Sequence, residues 1–122
     1  MIKENILARY LAPLLQGDRK ACRAVIEETL QSGIPANSVY VNIIWPIMVE
    51  IEKLLRNDKI TSIQEHLATR VNRNIVDQLQ NKLPRRTRKN KKIVVCCAPE
   101  EIQELGAQMM TEIGRASCRE RV

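Results

Sequence analysis

Few side chains in this chain of 122 residues are of the types that carry out chemistry. His66 is its single histidine and directly follows Glu65. By itself, a histidine beside a glutamate on a helix is typical of a solvated or core-edge residue. The adjacent acids at 27–28 and at 100–101 face apart on a helix. No nucleophile is spaced to meet a base and no phosphate-binding loop occurs, so we do not expect the chain to be an independent enzyme.

The four cysteines do not have the spacing of metal ligands, and they are predicted to be reduced thiols: Cys22, Cys96, Cys97 and Cys118. Charged residues interrupt the apolar residues at the N-terminus, which argues against a signal peptide. No apolar run approaches the roughly 18 to 20 residues of a membrane span. These features predict a cytoplasmic protein that does not act at a membrane.

The net charge of +6 comes from one short segment. Residues 82–92 hold seven basic side chains and no acid, and the rest of the chain holds 13 basic and 14 acidic side chains. Seven cations could attract phosphates. No aromatic residue lies between them to stack on bases, so we predict a solvated linker at 84–92 and no nucleic-acid partner.

Apolar residues at helical spacing predict four helices before this segment. The first helix ends at Gly17, the second begins at an Asp18 N-cap and ends at Gly33, and Pro35 lies in the first turn of the third. Pro46 is expected to kink the third helix, and Trp45 is interpreted as a core residue. Thr61 is the predicted N-cap of the fourth helix, whose expected inner residues are Ile63, His66, Leu67, Ile75 and Leu79. Short connections between these helices favour a four-helix bundle over residues 1–83.

A change of period follows the basic segment. The apolar run 93–98 predicts a strand buried on both faces. A helix opening at 99–100 comes next, with Ile102, Leu105, Met109 and Met110 on its apolar side. A strand, a short loop and a helix form the first unit of a doubly wound α/β domain. We therefore assign 93–112 to the truncated start of a Rossmann-like domain, which makes the fold class mainly α with an incomplete α/β unit.

The last ten residues, 113–122, read IGRASCRERV, which matches one frame of a common sequencing adapter. We expect the native sequence to stop near Glu112 and the gene product to be cut short there. A genuine short basic tail is the alternative.

The order of these elements resembles the cobalamin-binding module of corrinoid proteins and methionine synthases, and is most similar to stand-alone corrinoid proteins and to light-sensing regulators that use adenosylcobalamin. The resemblance lies in the segments LLQGDRKACRAVIEETLQSG, WPIMVEIEKLL and KITSIQEHLATRV, above all in EHLAT at 65–69. It covers residues 1–112. In that family the bundle caps the upper face of the corrin ring, and the α/β domain holds the lower face.

This resemblance implies that Glu65 and His66 meet the upper axial ligand, where His66 could contact an adenosyl or methyl group or ligate cobalt directly. The position of a tryptophan in the light-sensing members is occupied by Leu55, which offers no aromatic face. Light sensing in the manner of those regulators is therefore not expected.

A second departure concerns the lower face. The family motif of an acid, a histidine and a glycine corresponds to Glu101, Gln103 and Gly106, so an amide replaces the histidine that ligates cobalt from below. An amide is a poor cobalt ligand. The resemblance then implies that the cofactor keeps its own base, or that water or a weakly bound amide occupies the lower site. Gly106 is expected to allow backbone approach to the corrin, or to serve helix packing alone.

The sequence therefore predicts a cobalamin-binding module for adenosyl- or methylcobalamin. It would be a methyl-group carrier working with a methyltransferase, or a cobalamin-responsive regulator working with a transcriptional partner. The alternative is a helical protein-interaction domain that binds no cofactor.

Overall fold

The computed structural model describes residues 4–83, 94–96 and 105–118. Its helices are α1 (Glu4–Leu15), α2 (Arg19–Gln31), α3 (Ala36–Val39), α4 (Trp45–Arg56), α5 (Ser62–Leu79) and α6 (Leu105–Cys118). A π-helical segment, Tyr40–Ile44, joins α3 to α4 without a break, and a 3₁₀ turn, Gln80–Lys82, ends α5. None of the helices in these ranges is both long and apolar enough to cross a membrane.

The first two helices end, and the second begins, where the sequence predicts. Gly17 and Gly33 adopt positive φ values of 72° and 99°, which an L side chain rarely tolerates, and each follows the end of a helix. Asp18 caps α2, because its Oδ1 accepts a hydrogen bond of 3.1 Å from the backbone N–H of Ala21. The predicted C-terminal ends of α1 and α2 and the N-cap of α2 are confirmed.

The irregularity expected at Pro46 takes the form of the π-helical segment. The backbone N–H of Trp45 donates to the carbonyl of Tyr40, five residues earlier. Pro46 has no N–H with which to continue the α-helical pattern, and the wider turn lies directly before it. Because a π-helical turn contains an extra residue, the residues of α4 emerge on a different side of the helix from the one that α3 would predict for them.

α5 is the central helix of the bundle, since α1, α2, α4 and α6 all pack against it. Its buried residues are Glu65, Ala68, Val71, Asn72, Ile75, Val76 and Leu79. The prediction for Ile75 and Leu79 is confirmed, but it is wrong for Ile63, Leu67 and His66, which are exposed. Residues four positions apart on an α-helix are rotated by about 40° relative to each other. Over the four such steps from Ile63 to Leu79 the rotation reaches roughly 160°, so these two residues lie on nearly opposite sides of α5.

The predicted first β-α unit is not seen. Val94–Cys96 lies in the described part of the chain and is not in a strand, and the remaining residues of the apolar run lie outside it. A strand exists through hydrogen bonds to a neighbouring strand, and no strand occurs among the described residues to provide them. The following helix is present as α6, which packs on α5 of the bundle. The fold is mainly helical.

Candidate functional site

The first turn of α5 is fixed by a reciprocal pair of hydrogen bonds. The Thr61 hydroxyl accepts from the backbone N–H of Gln64 at 3.1 Å, and the Gln64 side-chain oxygen accepts from the backbone N–H of Thr61 at 2.9 Å. This capping box satisfies two donors at the helix start, which confirms Thr61 as the N-cap. Because Glu65 and His66 follow immediately, the cap sets where both side chains emerge.

Glu65 is a buried acid at the wall of a cavity, with 8% of its surface exposed. Its Oε1 accepts a hydrogen bond of 3.1 Å from the Thr69 hydroxyl, one turn further along α5. Its Oε2 lies 3.5 Å from Nε2 of His66. The His66 side chain is 68% exposed and can therefore reach a ligand. The carboxylate thus lies between a hydroxyl donor and an accessible imidazole.

Leu55 and its neighbours on α4 form the opposite, largely apolar wall. Leu55 is half-buried and packs against the bundle core, as does Met48. Val49 and Trp45 lie on the same wall, with Trp45 one turn earlier than Val49. Polar groups on α5 therefore face hydrophobic groups on α4 across the cavity.

The interpretation of Trp45 as a core residue is wrong. Its side chain is 53% exposed, and its indole lines the cavity. Trp45 directly follows the π-helical segment, whose wider turn changes the face on which later residues emerge. The cavity thus contains an aromatic ring, although the position of the family's tryptophan holds Leu55.

Gly106 of α6 closes one end of this cavity. A Cβ atom added to Gly106 would lie 3.0 Å from Cζ3 of Trp45, closer than most side chains tolerate. In this structure the glycine therefore permits close packing of α6 against the indole. Of the residues expected on the apolar side of this helix, Leu105 and Met109 are buried, Met110 is exposed, and Ile102 lies outside the described residues.

Together these elements line an open cavity of about 780 Å³. It brings together four of the predicted site residues: Leu55, Glu65, His66 and Gly106. The other two, Glu101 and Gln103, lie outside the described residues. Within the described ranges, no three His, Cys, Asp or Glu side chains are grouped so as to hold a metal ion.

Sequence reasoning missed a polar contribution from the middle of α5. Asn72 lines the cavity, and its Oδ1 accepts a hydrogen bond of 2.5 Å from the buried Tyr10 hydroxyl of α1. Burial raises the pKa of Tyr10 above its ordinary value, with a further contribution from Cys22, so the phenol remains a donor. The only signal in the sequence was the spacing of Glu65, Thr69 and Asn72 at helical intervals.

Comparison with known proteins agrees with this arrangement. The family model described as B12 binding domain matches residues 6–80, which is more than half of the chain. The chain belongs to the B12 binding domain family. The match begins within α1 and runs to the end of α5, and it includes the α4 and α5 residues of the cavity. A search of curated proteins finds no match.

The cavity of this B12 binding domain is lined by residues whose chemistry fits contact with a corrinoid. The accessible imidazole of His66 suits contact with an axial ligand or with cobalt, since neutral imidazole is a good ligand for transition metals. Leu55 and Met48 offer an apolar surface, and Thr69 and Ser62 add hydroxyl groups. A cavity of about 780 Å³ lies within the range of roughly 300 to 1,000 Å³ typical of drug-sized ligands. The size of the cavity therefore suits a drug-sized group.

Proposed function

We propose that this chain is the upper-face cap of a corrinoid site, in which Glu65, His66 and Leu55 surround the upper axial ligand. The observation that carries the proposal is the convergence of these three residues, from two different helices, on one cavity. A bound corrinoid supplies a cobalt centre and its axial alkyl group. The chain supplies the position and the surroundings of that group.

Each wall has a separate task in this proposal. His66 presents an imidazole that contacts the axial ligand, while Glu65 holds that imidazole in place from 3.5 Å away. Leu55 packs against the ligand and excludes water from that side. The Thr69 hydroxyl fixes the Glu65 carboxylate and so keeps it at the cavity wall.

The upper ligand distinguishes the two roles that we propose. A methyl-group carrier working with a methyltransferase would favour methylcobalamin, whereas a cobalamin-responsive regulator with a transcriptional partner would favour adenosylcobalamin. Trp45 offers an aromatic surface that an adenine could contact, and a methyl group would not reach it. We therefore expect the comparison of the two cofactors to separate the roles.

The proposal is tested by titrating the chain with hydroxocobalamin, methylcobalamin and adenosylcobalamin, and measuring bound cofactor by equilibrium dialysis. We expect weak binding, with a Kd above roughly 10 μM, because the described residues contact only one face of the ring. His66→Ala and Leu55→Ala should each weaken binding by about threefold to tenfold. Gln78→Ala, an exposed change on α5 outside the cavity, is the matched control.

Two results would contradict the proposal. One is equal loss of affinity in the control and in the cavity variants, which would place the binding surface elsewhere. The other is the absence of binding to all three cofactors at millimolar concentration. That second result would favour the helical interaction domain that acts without a cofactor.

A further inference from the structure

A buried amide at the wall of the cavity has one of its two polar atoms already bonded. Asn72 of α5 lines the cavity and is 1% exposed. Its Oδ1 accepts a hydrogen bond of 2.5 Å from the hydroxyl of Tyr10, a fully buried residue of α1. This bond uses the acceptor atom of the amide, and the two N–H donors of Nδ2 take no part in it.

Tyr10 determines which way this amide faces. Burial raises the pKa of the Tyr10 phenol, so the phenol keeps its proton and needs an acceptor. If the amide of Asn72 were rotated by 180°, Nδ2 would face the phenol, and the buried O–H would lose the acceptor that it has in this fold. The bond therefore holds Oδ1 towards α1 and directs Nδ2 away from Tyr10.

The neighbouring polar groups of α5 differ from Asn72 in what they offer a ligand. The Glu65 carboxylate is an acceptor, and the Thr69 hydroxyl gives its proton to that carboxylate at 3.1 Å. Asn72 adds a donor of fixed orientation to this wall, and the apolar side chains of Leu55 and Trp45 lie on the wall of α4. A plain alkyl group would cover this donor without pairing it, which costs affinity in a site that excludes water.

We propose that Asn72 is a specificity-determining residue, whose amide donors select an upper axial group that carries a hydrogen-bond acceptor over a plain alkyl group. Tyr10 is its positioning residue, since it holds the amide and is not among the residues that line the cavity. This inference rests on the proposed function, because it concerns which upper group the same cavity prefers. The nucleoside of adenosylcobalamin carries acceptors in its ring nitrogens and ribose hydroxyls, and the methyl group of methylcobalamin carries none.

The test uses the whole chain and two pairs of variants. Asn72→Asp replaces Nδ2 by an oxygen and keeps the acceptor of the Tyr10 hydroxyl, and Asn74→Asp makes the same change on α5 outside the cavity lining. Tyr10→Phe removes the bond that holds the amide. Its matched control is Tyr40→Phe, because Tyr40 is also buried and its hydroxyl donates at 2.8 Å to the carbonyl of Val76, away from the amide.

Equilibrium dialysis gives the affinity of each form for adenosylcobalamin and for methylcobalamin, and urea denaturation gives its stability. We expect Asn72→Asp to weaken adenosylcobalamin binding by about threefold to tenfold and to leave methylcobalamin binding unchanged. Tyr10→Phe should reduce the preference for adenosylcobalamin in the same direction. Tyr40→Phe should lower stability and keep the preference, and Asn74→Asp should keep it as well.

Nuclear magnetic resonance tests the same contact in the unmodified chain. The side-chain NH₂ signal of Asn72, assigned from triple-resonance spectra, should shift when adenosylcobalamin is added and stay in place with methylcobalamin. This measurement decides the question even if Asn72→Asp does not fold.

An Asn72 NH₂ signal that adenosylcobalamin leaves unmoved would overturn the inference, and so would an unchanged preference in a folded Asn72→Asp variant. An equal change of preference in Tyr10→Phe and Tyr40→Phe would overturn the positioning role of Tyr10, because loss of a buried phenol hydroxyl would then suffice. Failure of every form to bind either cofactor is a different result, since it removes the proposed function itself.

Discussion

The Thr69 hydroxyl donates a hydrogen bond of 3.1 Å to Oε1 of Glu65, and the second oxygen of that carboxylate faces His66. One turn of α5 therefore links a buried acid to an exposed imidazole. The exposed residue is the one that can meet a ligand. Behind it lie the buried carboxylate of Glu65 and the partly buried side chain of Thr69.

Replacing Thr69 by valine keeps the shape of the side chain and removes the donor. We expect Thr69→Val to lower the free energy of unfolding by about 0.5–1.5 kcal/mol, since the Glu65 carboxylate then lacks a partner it has in this fold. Urea denaturation measures this change. Thr69→Ser retains the hydroxyl and should recover most of the stability. A loss of stability in Thr69→Ser with none in Thr69→Val would mean that the methyl group, and not the hydrogen bond, matters.

The capping box at the start of α5 offers a second test. Thr61→Ala removes the side chain that accepts from the backbone N–H of Gln64, and such a change costs about 1 kcal/mol. The loosened turn carries Glu65 and His66, so exchange of their amide protons should increase before that of the rest of α5. Hydrogen exchange followed by mass spectrometry resolves this. Thr61→Ser keeps the cap and should leave the exchange unchanged. Uniform exchange along α5 in the alanine variant would argue against a local role for the cap.

The raised pKa of Cys22 predicts how the free energy of unfolding of the bundle depends on pH. Burial, with a smaller contribution from Asp18, raises the pKa of the Cys22 thiol from its ordinary value of 9.0 to about 11. The unfolded chain therefore loses this proton at lower pH than the folded chain does. This difference in pKa contributes to the free energy of unfolding. The contribution is fully present below about pH 9 and is lost as the pH rises towards 11, at up to about 1.4 kcal/mol per pH unit.

Urea denaturation between pH 8 and 10.5 measures this slope. Cys22→Ala should be less stable at pH 8 because its side chain leaves a cavity at a fully buried position, but its stability should fall less steeply with pH. The tyrosines, whose pKa values are also raised by burial, account for the slope that remains. An identical slope with and without the thiol would show that Cys22 does not titrate in this range.

Local sequence determined where most of these helices begin and end. Asp18 and Thr61 cap their helices through hydrogen bonds to residues three positions away, and Gly17 and Gly33 supply the positive φ values that follow helix ends. These interactions involve only neighbours in the chain. The sequence also placed Glu65 and His66 on the fourth helix through the EHLAT segment.

Tertiary structure decided which residues at the start of α5 are buried. Ile63 and Leu67 look like core residues, but α5 is surrounded by four helices whose positions bury Glu65 and Asn72 in their place. Burial on a central helix depends on its partners as well as on its own apolar residues.

Tertiary packing also decided where Trp45 and Gly106 lie in the cavity. Trp45 is exposed to the cavity directly after a π-helical segment, and α6 packs closely against its ring at Gly106, which has no side chain to collide with it. The second relationship joins residues distant in sequence, and no local signal encodes it. The sequence by itself determined the helices, their caps and the family they resemble. The packing of α4, α5 and α6 against one another decided the shape of the cavity, because a cavity is defined by the surfaces that meet around it.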